Sequence, residues 1–292
     1  MTQFAVTRRG AASLGLGGLM AIMARRPALA EPVGLASEWT GQKNGRVRLI
    51  ACALASTPGQ PAKLYAGVHL QLATGWKTYW RQPGEAGVPP SFDWAGSDNL
   101  AEARVLFPVP QRLAEAGMTS LGCQSEVAFP VEITTRAPGQ PIALKLAIEY
   151  GVCKDICIPA EALLSLTIPT GLTALTDPVS ALVSAHLARV PRPTKPGLPA
   201  VTSFKAELAG NSPRLMIEAS FPQGTDGADV LIEIPGGELA PFAVITERKG
   251  NDVVRFEARF ASAAEAQRFA GKPLLLTLFS ANAQAEARAQ MP

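Results

Sequence analysis

Histidine is nearly absent from this 292-residue chain, which has only His69 and His186. Neither shows ligand spacing and a closed zinc site needs four donors, so a zinc centre is excluded. Charge is sparse too, at 17% of residues. No basic patch marks a surface for nucleic acid or for an anionic membrane. Cysteine is confined to the first half: Cys52, Cys123, Cys153 and Cys157 all precede residue 160. Whatever thiol chemistry exists belongs there. There is no G-x-S-x-G elbow and no Ser/His/acid set for acyl transfer.

Acidic residues are missing from the first thirty positions, which carry Arg8, Arg9, Arg25 and Arg26. Between the arginine pairs runs GAASLGLGGLMAIM, an apolar stretch too short to span a bilayer comfortably. Ala28-Leu29-Ala30 fits the small-x-small pattern of a cleavage site, so residues 1–30 read as a secretory signal. Thr7-Arg8-Arg9 suits twin-arginine export, and Sec export fits as well. Without the leader the chain keeps 23 basic and 24 acidic residues. The sequence pI of 8.7 is therefore largely the leader's. No later apolar run reaches ~18 residues, so no membrane span is expected in the mature chain. The expected compartment is the periplasm, where cysteines can hold disulfides.

From Arg46 onward the pattern is β. RVRLIACAL, KLYAGVHLQLA, EVAFPVEIT, PIALKLAIEYGV and LLSLTIPT alternate or run apolar over strand lengths, with Gly and Pro between them. No long amphipathic helix precedes residue 170. The expected class is all-β, with an antiparallel sandwich over residues 31–170. Residues 75–100 hold Trp76, Tyr79, Trp80 and Trp94 among prolines and glycines, and read as a long ordered loop that covers something. At 171–199 a short helix with Asp177 as N-cap and Pro178 at its first position leads into the Pro-rich spacer PRPTKPGLP. Residues 200–292 return to β and predict a second, smaller sandwich, with one short helix closed by Gly271. His69, between Val68 and Leu70, reads as solvent-facing.

Cys153 and Cys157 form a C-x-x-x-C pair in EYGVCKDICIPAEALLSL. In a straight strand, residues four apart lie ~13 Å from each other, whereas a disulfide needs Cα atoms within roughly 4.4–6.8 Å. The chain must therefore turn between them. A helical turn would serve, as would a hairpin with the loop Lys154-Asp155-Ile156, and the strand-like flanks favour the hairpin. A bridge over so short a loop stabilises little as a staple and suits a bond meant to open. Lys154 favours a thiolate and Asp155 opposes it. A structural disulfide, a Cu(I) dithiolate and a redox pair all remain open on spacing alone. Cys52 and Cys123 are either a disulfide across the sandwich or buried thiols. Glu149 and Glu161 flank the pair as ordinary surface carboxylates.

GWKTYWRQPGEAGVPPSFDW, SDNL, FPVPQR, EVAFPVEI and VCKDICIPAEA, in that order, resemble the N-terminal periplasmic domain of DsbD-type thiol:disulfide interchange proteins. The variety found in ScsB-like proteins is the most similar, and the likeness covers roughly residues 40–168. It implies an immunoglobulin-like sandwich with Cys153 and Cys157 as a redox pair. It also implies that Cys157 forms the mixed disulfide with a partner and that no cofactor is needed beyond the cysteines. The implied partners are a thioredoxin-like or membrane-embedded thiol conduit on one side and oxidised periplasmic client proteins on the other. The chain itself carries no such conduit, so these partners would be separate proteins. A cap over the cysteines is implied, with Tyr79, Trp80 and Arg81 as the candidate shield, and Asp155 and Pro159 as candidate partner contacts. The rival reading is a non-enzymatic binding module, for copper handling or assembly, that keeps the fold with a structural disulfide.

Overall fold

Strands with one apolar face need a second apolar face to cover them, and this chain solves the problem twice. The computed structural model describes residues 35–54, 63–115, 117–172, 177–234 and 240–292. The export-signal reading of residues 1–30 lies outside them. The first half contains β1 (Leu35–Ala36), β2 (Thr40–Gln42), β3 (Gly45–Leu54), β4 (Lys63–Leu72), β5 (Lys77–Gly84), β6 (Ser91–Asp93), β7 (Leu100–Val105), β8 (Gln111–Glu115), β9 (Met118–Gln124), β10 (Glu126–Thr135), β11 (Ile142–Cys153) and β12 (Cys157–Ile168). One sheet runs β1-β3-β4-β10-β7 with β2 on β3; the other runs β12-β11-β5-β9-β8 with β6 on β11. All named pairings are antiparallel. Period-two alternation sends Val47, Leu49 and Ala51 of β3 and Leu144, Leu146 and Ile148 of β11 into one core between the sheets.

The opposite face of the first sheet is covered by helix α1 (Pro178–Ala188). Asp177 caps it by accepting hydrogen bonds from the backbone N–H of Val179 and Ser180, as the Asp-Pro pair predicts. Ile50, Cys52, Tyr65, Val179 and Val183 pack together beneath it.

The second half contains β13 (Ala200–Glu207), β14 (Arg214–Ser220), β15 (Asp229–Glu233), β16 (Ala243–Lys249), β17 (Val253–Arg259), α2 (Ala263–Gln267), β18 (Pro273–Phe279) and β19 (Gln284–Gln290). A four-stranded sheet, β13-β14-β17-β16, and a three-stranded sheet, β15-β18-β19, enclose a separate core around Ile217, Phe221, Phe256 and Leu276. The Pro-rich stretch between the halves forms no helix or strand of its own. It is tied to β19 by an isolated bridge, Pro193 with Glu286.

The two halves belong to one compact unit spanning residues 32–292. A further cluster joins them: Trp80 and Leu121 of the first half pack on Leu231, with Phe242 and Phe279 alongside. Two bidentate ion pairs flank it. Arg81 grips Glu233 with 2.8 Å bonds from Nε and Nη2. Arg112 grips Asp229 at 2.6 and 2.7 Å. Planar forks of this kind fix orientation as well as charge.

His69 is not solvent-facing. It is only 3% exposed, on the side of β4 away from the inter-sheet core. Its Nε2 lies 2.8 Å from Glu126, Arg48 donates to its Nδ1, and the Trp39 ring packs against it, tilted, with centroids 4.8 Å apart. Burial lowers its pKa despite the bond to Glu126, and Arg48 and His186 push the same way as burial. The folded state therefore takes up this proton less readily than the unfolded chain. Stability from His69 is present above the unfolded histidine value of ~6.5 and is lost as pH falls below it. The melting temperature should drop between about pH 7 and 5.5, and His69→Gln should flatten that drop. An identical pH slope in the variant would remove His69 from the account.

Candidate functional site

The turn between Cys153 and Cys157 is a hairpin. The two residues are directly paired at the closed end of β11 and β12, with Lys154, Asp155 and Ile156 as the loop. Residues opposite each other on antiparallel strands have Cα atoms roughly 4.5–5.5 Å apart, inside the range a disulfide needs. The pair can therefore open and close with little backbone movement. Even-numbered residues of β11, and Ala162, Leu164 and Ile168 of β12, fill the core. Alternation then places Cys153 and Cys157 together on the outer face of the second sheet.

The two sulfurs differ in access. Cys153 is fully buried, although it lies on an outer face, whereas Cys157 is partly exposed. The cover is Tyr79 of β5. Its side chain is itself fully buried, and its hydroxyl is in hydrogen-bonding contact with both cysteines. The ring fits here because two glycines leave room. A Cβ on Gly151 would come within 3.0 Å of the ring and 3.4 Å of Cys157 Sγ. On Gly87, at φ +127°, a Cβ would come within 2.4 Å of the ring. Burial raises the Tyr79 pKa well above the ordinary phenol value, and the contacts with Cys153 and Cys157 raise it further. The phenol thus keeps its proton and remains a donor toward sulfur.

Residues 75–100, expected to form one long loop, contain the strands β5 and β6. β5 pairs with β11 through Lys77 and Thr78, and with β9 through Lys77, Thr78 and Tyr79. Gly122 permits that approach, since a Cβ there would sit 2.0 Å from the Thr78 carbonyl oxygen. The Thr78 hydroxyl donates to the Gly151 carbonyl at 2.9 Å, which fastens β5 to the cysteine hairpin.

Of the expected shield, only Tyr79 covers the cysteines. Trp80 alternates to the other side, where it is fully buried and donates its indole N–H to the Pro108 carbonyl at 2.9 Å. Arg81 lies 4.3 Å over the Trp80 ring and turns to Glu233 and Glu286. Both belong to the junction between the halves. Asp155 and Pro159 are exposed at the hairpin, Pro159 opposite Gly151. Glu149 and Glu161 face each other, four pairs along the ladder from the cysteines and exposed, as surface carboxylates should be.

Cys52 and Cys123 do not form the bridge considered for them. Cys52 lies on the helix-covered side of the first sheet, whereas Cys123 packs against the core between the sheets. A sheet separates them; all four cysteines are free thiols in this structure. Burial pushes the pKa of Cys52 and of Cys123 up to about 11, with Asp177 adding to the rise at Cys52. Both are poor nucleophiles at neutral pH.

Sequence reasoning missed Gly87, Gly151, Glu233 and Glu286, as well as Lys77, the buried cross-strand neighbour of Cys153 on β5. It also missed several exposed apolar side chains. Ile156 is 75% exposed, Ile158 40% and Val88, next to Gly87, 49%. Among the described residues no cluster of three or more metal-ligating side chains occurs, and no helix is long and apolar enough to cross a membrane.

Residues 51–169 match the family model for the thiol:disulfide interchange protein DsbD, N-terminal. The whole architecture is similar to the N-terminal periplasmic domain of ScsB from Proteus mirabilis. That likeness has a TM-score of 0.65 and 23% identity, and covers 88% of this chain and 98% of that one. Such coverage cannot be reached within the first half, so the shared fold extends into residues 200–292, where the sequence suggested no relative. No curated protein matches the chain.

Proposed function

We propose that the chain is a periplasmic thiol:disulfide exchange protein working through Cys153 and Cys157. The observation that carries this reading is the asymmetry of the hairpin pair: one sulfur accessible, the other buried directly opposite it. In the reduced form, the Cys157 thiolate attacks one sulfur of a client disulfide. The client S–S bond breaks, a client thiolate leaves and is protonated, and a mixed disulfide forms at Cys157. The Cys153 thiolate then attacks Cys157 Sγ, which closes the 153–157 disulfide and releases the second client thiol. Two electrons pass to the client, and the two thiol protons are balanced by those the client takes up. A dithiol donor of thioredoxin-like chemistry restores the pair by the reverse sequence. The chain's own residues supply all the rest. Gly151 and Gly87 admit Tyr79, Tyr79 excludes water from Cys153 and donates to sulfur, and Ile156 at the hairpin tip offers an exposed apolar contact to a partner.

Mixing the oxidised chain with a reduced thioredoxin-like protein should yield one 153–157 dithiol per donor disulfide formed, read by thiol alkylation and mass. A chain that stays oxidised while still binding a periplasmic partner would leave the binding-module reading instead.

A further inference from the structure

Tyr79, Trp80 and Arg81 are consecutive, yet they face three different environments. The cause is a bulge. β5 pairs with β9 at Tyr79–Gly122 and next at Gly84–Ser120, so five steps on one strand match two on the other. Bulges of this kind re-aim side chains. The surplus chain reaches the C-terminal unit and is fixed at both ends. At one end Arg81 donates to Glu233 Oε1 and Oε2 and to Glu286 Oε1, each at 2.8 Å. At the other, Gly84 adopts φ +87° in a gap where a Cβ would meet the Thr119 carbonyl at 2.6 Å and Phe242 at 3.1 Å. Burial pulls the Arg81 pKa down, but the ion pairs with Glu233 and Glu286 outweigh it and hold it above the ordinary value. The guanidinium is thus committed to this contact.

We propose that Arg81 is a positioning residue: by locking the β5 bulge onto Glu233 and Glu286, it fixes the Tyr79 hydroxyl over the sulfurs of Cys153 and Cys157. The C-terminal unit then sets the reactivity of a thiol pair carried by the other sandwich. This rests on the exchange function proposed above, since it assigns Tyr79 a role in tuning that pair. The chemistry is simple. A donor held toward sulfur favours the thiolate, and a donor that wanders does not.

The test uses the full chain in its reduced form. The titration midpoint of the 153/157 thiols is read from the pH dependence of alkylation by iodoacetamide, located by mass. Arg81→Met should raise the midpoint and cut the thiolate fraction at neutral pH by about fivefold, the worth of roughly one hydrogen bond. Arg81→Lys keeps the charge and loses the fork, so its shift should be smaller. Should Arg81→Met fail to fold, Glu286→Gln removes the negative charge from one partner of Arg81 and should move the midpoint in the same direction. Arg112→Met breaks the other ion pair of the junction, which lies on β8 and not on the bulge, and should leave the midpoint in place. In a Tyr79→Phe background, Arg81→Met should add almost nothing, because residues acting through one contact are not additive. An unmoved midpoint in Arg81→Met, an equal shift in Arg112→Met, or full additivity with Tyr79→Phe would each overturn the proposal. Failure of the wild-type disulfide to exchange with a dithiol donor would overturn the exchange function separately, because the alkylation midpoint is measured on thiols and needs no partner.

Discussion

Cys153→Ser should accumulate mixed disulfides with partner proteins, and Cys157→Ser should accumulate none. The expectation follows from access and register. Cys157 is partly exposed at the end of the hairpin loop, next to the exposed Ile156, so a partner sulfur can reach it. Cys153 is fully buried under Tyr79, so it meets only the sulfur opposite it. Removing Cys153 deletes the group that resolves the intermediate and leaves the attacking thiol in place. Removing Cys157 leaves a thiol that no partner can approach. Turnover should fall to background in both variants, and only the trapped species tells them apart. Non-reducing electrophoresis with mass identification of the adduct provides the readout. Equal trapping by both variants would mean that Tyr79 does not shield Cys153. Serine is close to cysteine in size, so neither change should unfold the hairpin.

Trp80→Ala should be the most damaging single change outside the cysteines. The side chain is fully buried and sits among Leu121, Leu231, Phe242 and Phe279, where the two halves meet. Its loss leaves a large cavity at that junction and an unpaired Pro108 carbonyl. Emptying such a site costs ~3–5 kcal/mol, or a fall in melting temperature of roughly 10 °C for a unit of this size. Trp80→Phe keeps most of the apolar volume and loses only the indole N–H, so it should cost ~1–3 kcal/mol, the penalty for one orphaned buried acceptor. Calorimetry of the two variants checks the order. A neutral Trp80→Ala would show that the halves are held by the Arg81 and Arg112 ion pairs without the apolar junction.

The strands that were easiest to read were long apolar or alternating runs. RVRLIACAL and PIALKLAIEYGV became β3 and β11. β19 was missed because QAEARAQ is rich in helix formers. Its period-two alanines, Ala285, Ala287 and Ala289, pack on the second core, and pairing with β18 overrides local propensity. β5 was missed because Pro, Gly and bulge residues mask its alternation. The hairpin around the cysteines was legible because sterics left few alternatives, and the strand-like flanks chose between them. The separate fates of Tyr79, Trp80 and Arg81 were not legible. Nothing local records that Arg81 turns to Glu233 and Glu286, more than 150 positions away. The burial of His69 depends likewise on Trp39 and Glu126, which lie far from it in sequence and close only in the folded sheet.

The central claim is that the 153–157 bond opens and closes in service. Equilibrating the full chain in dithiothreitol or glutathione redox buffers, then alkylating and weighing it, measures the potential of that bond directly. A working pair should titrate between about −120 and −270 mV, the range spanned by thiol:disulfide exchange proteins. A value well below about −300 mV, with no reduction by a thioredoxin-like donor, is that of a structural disulfide and would contradict the account.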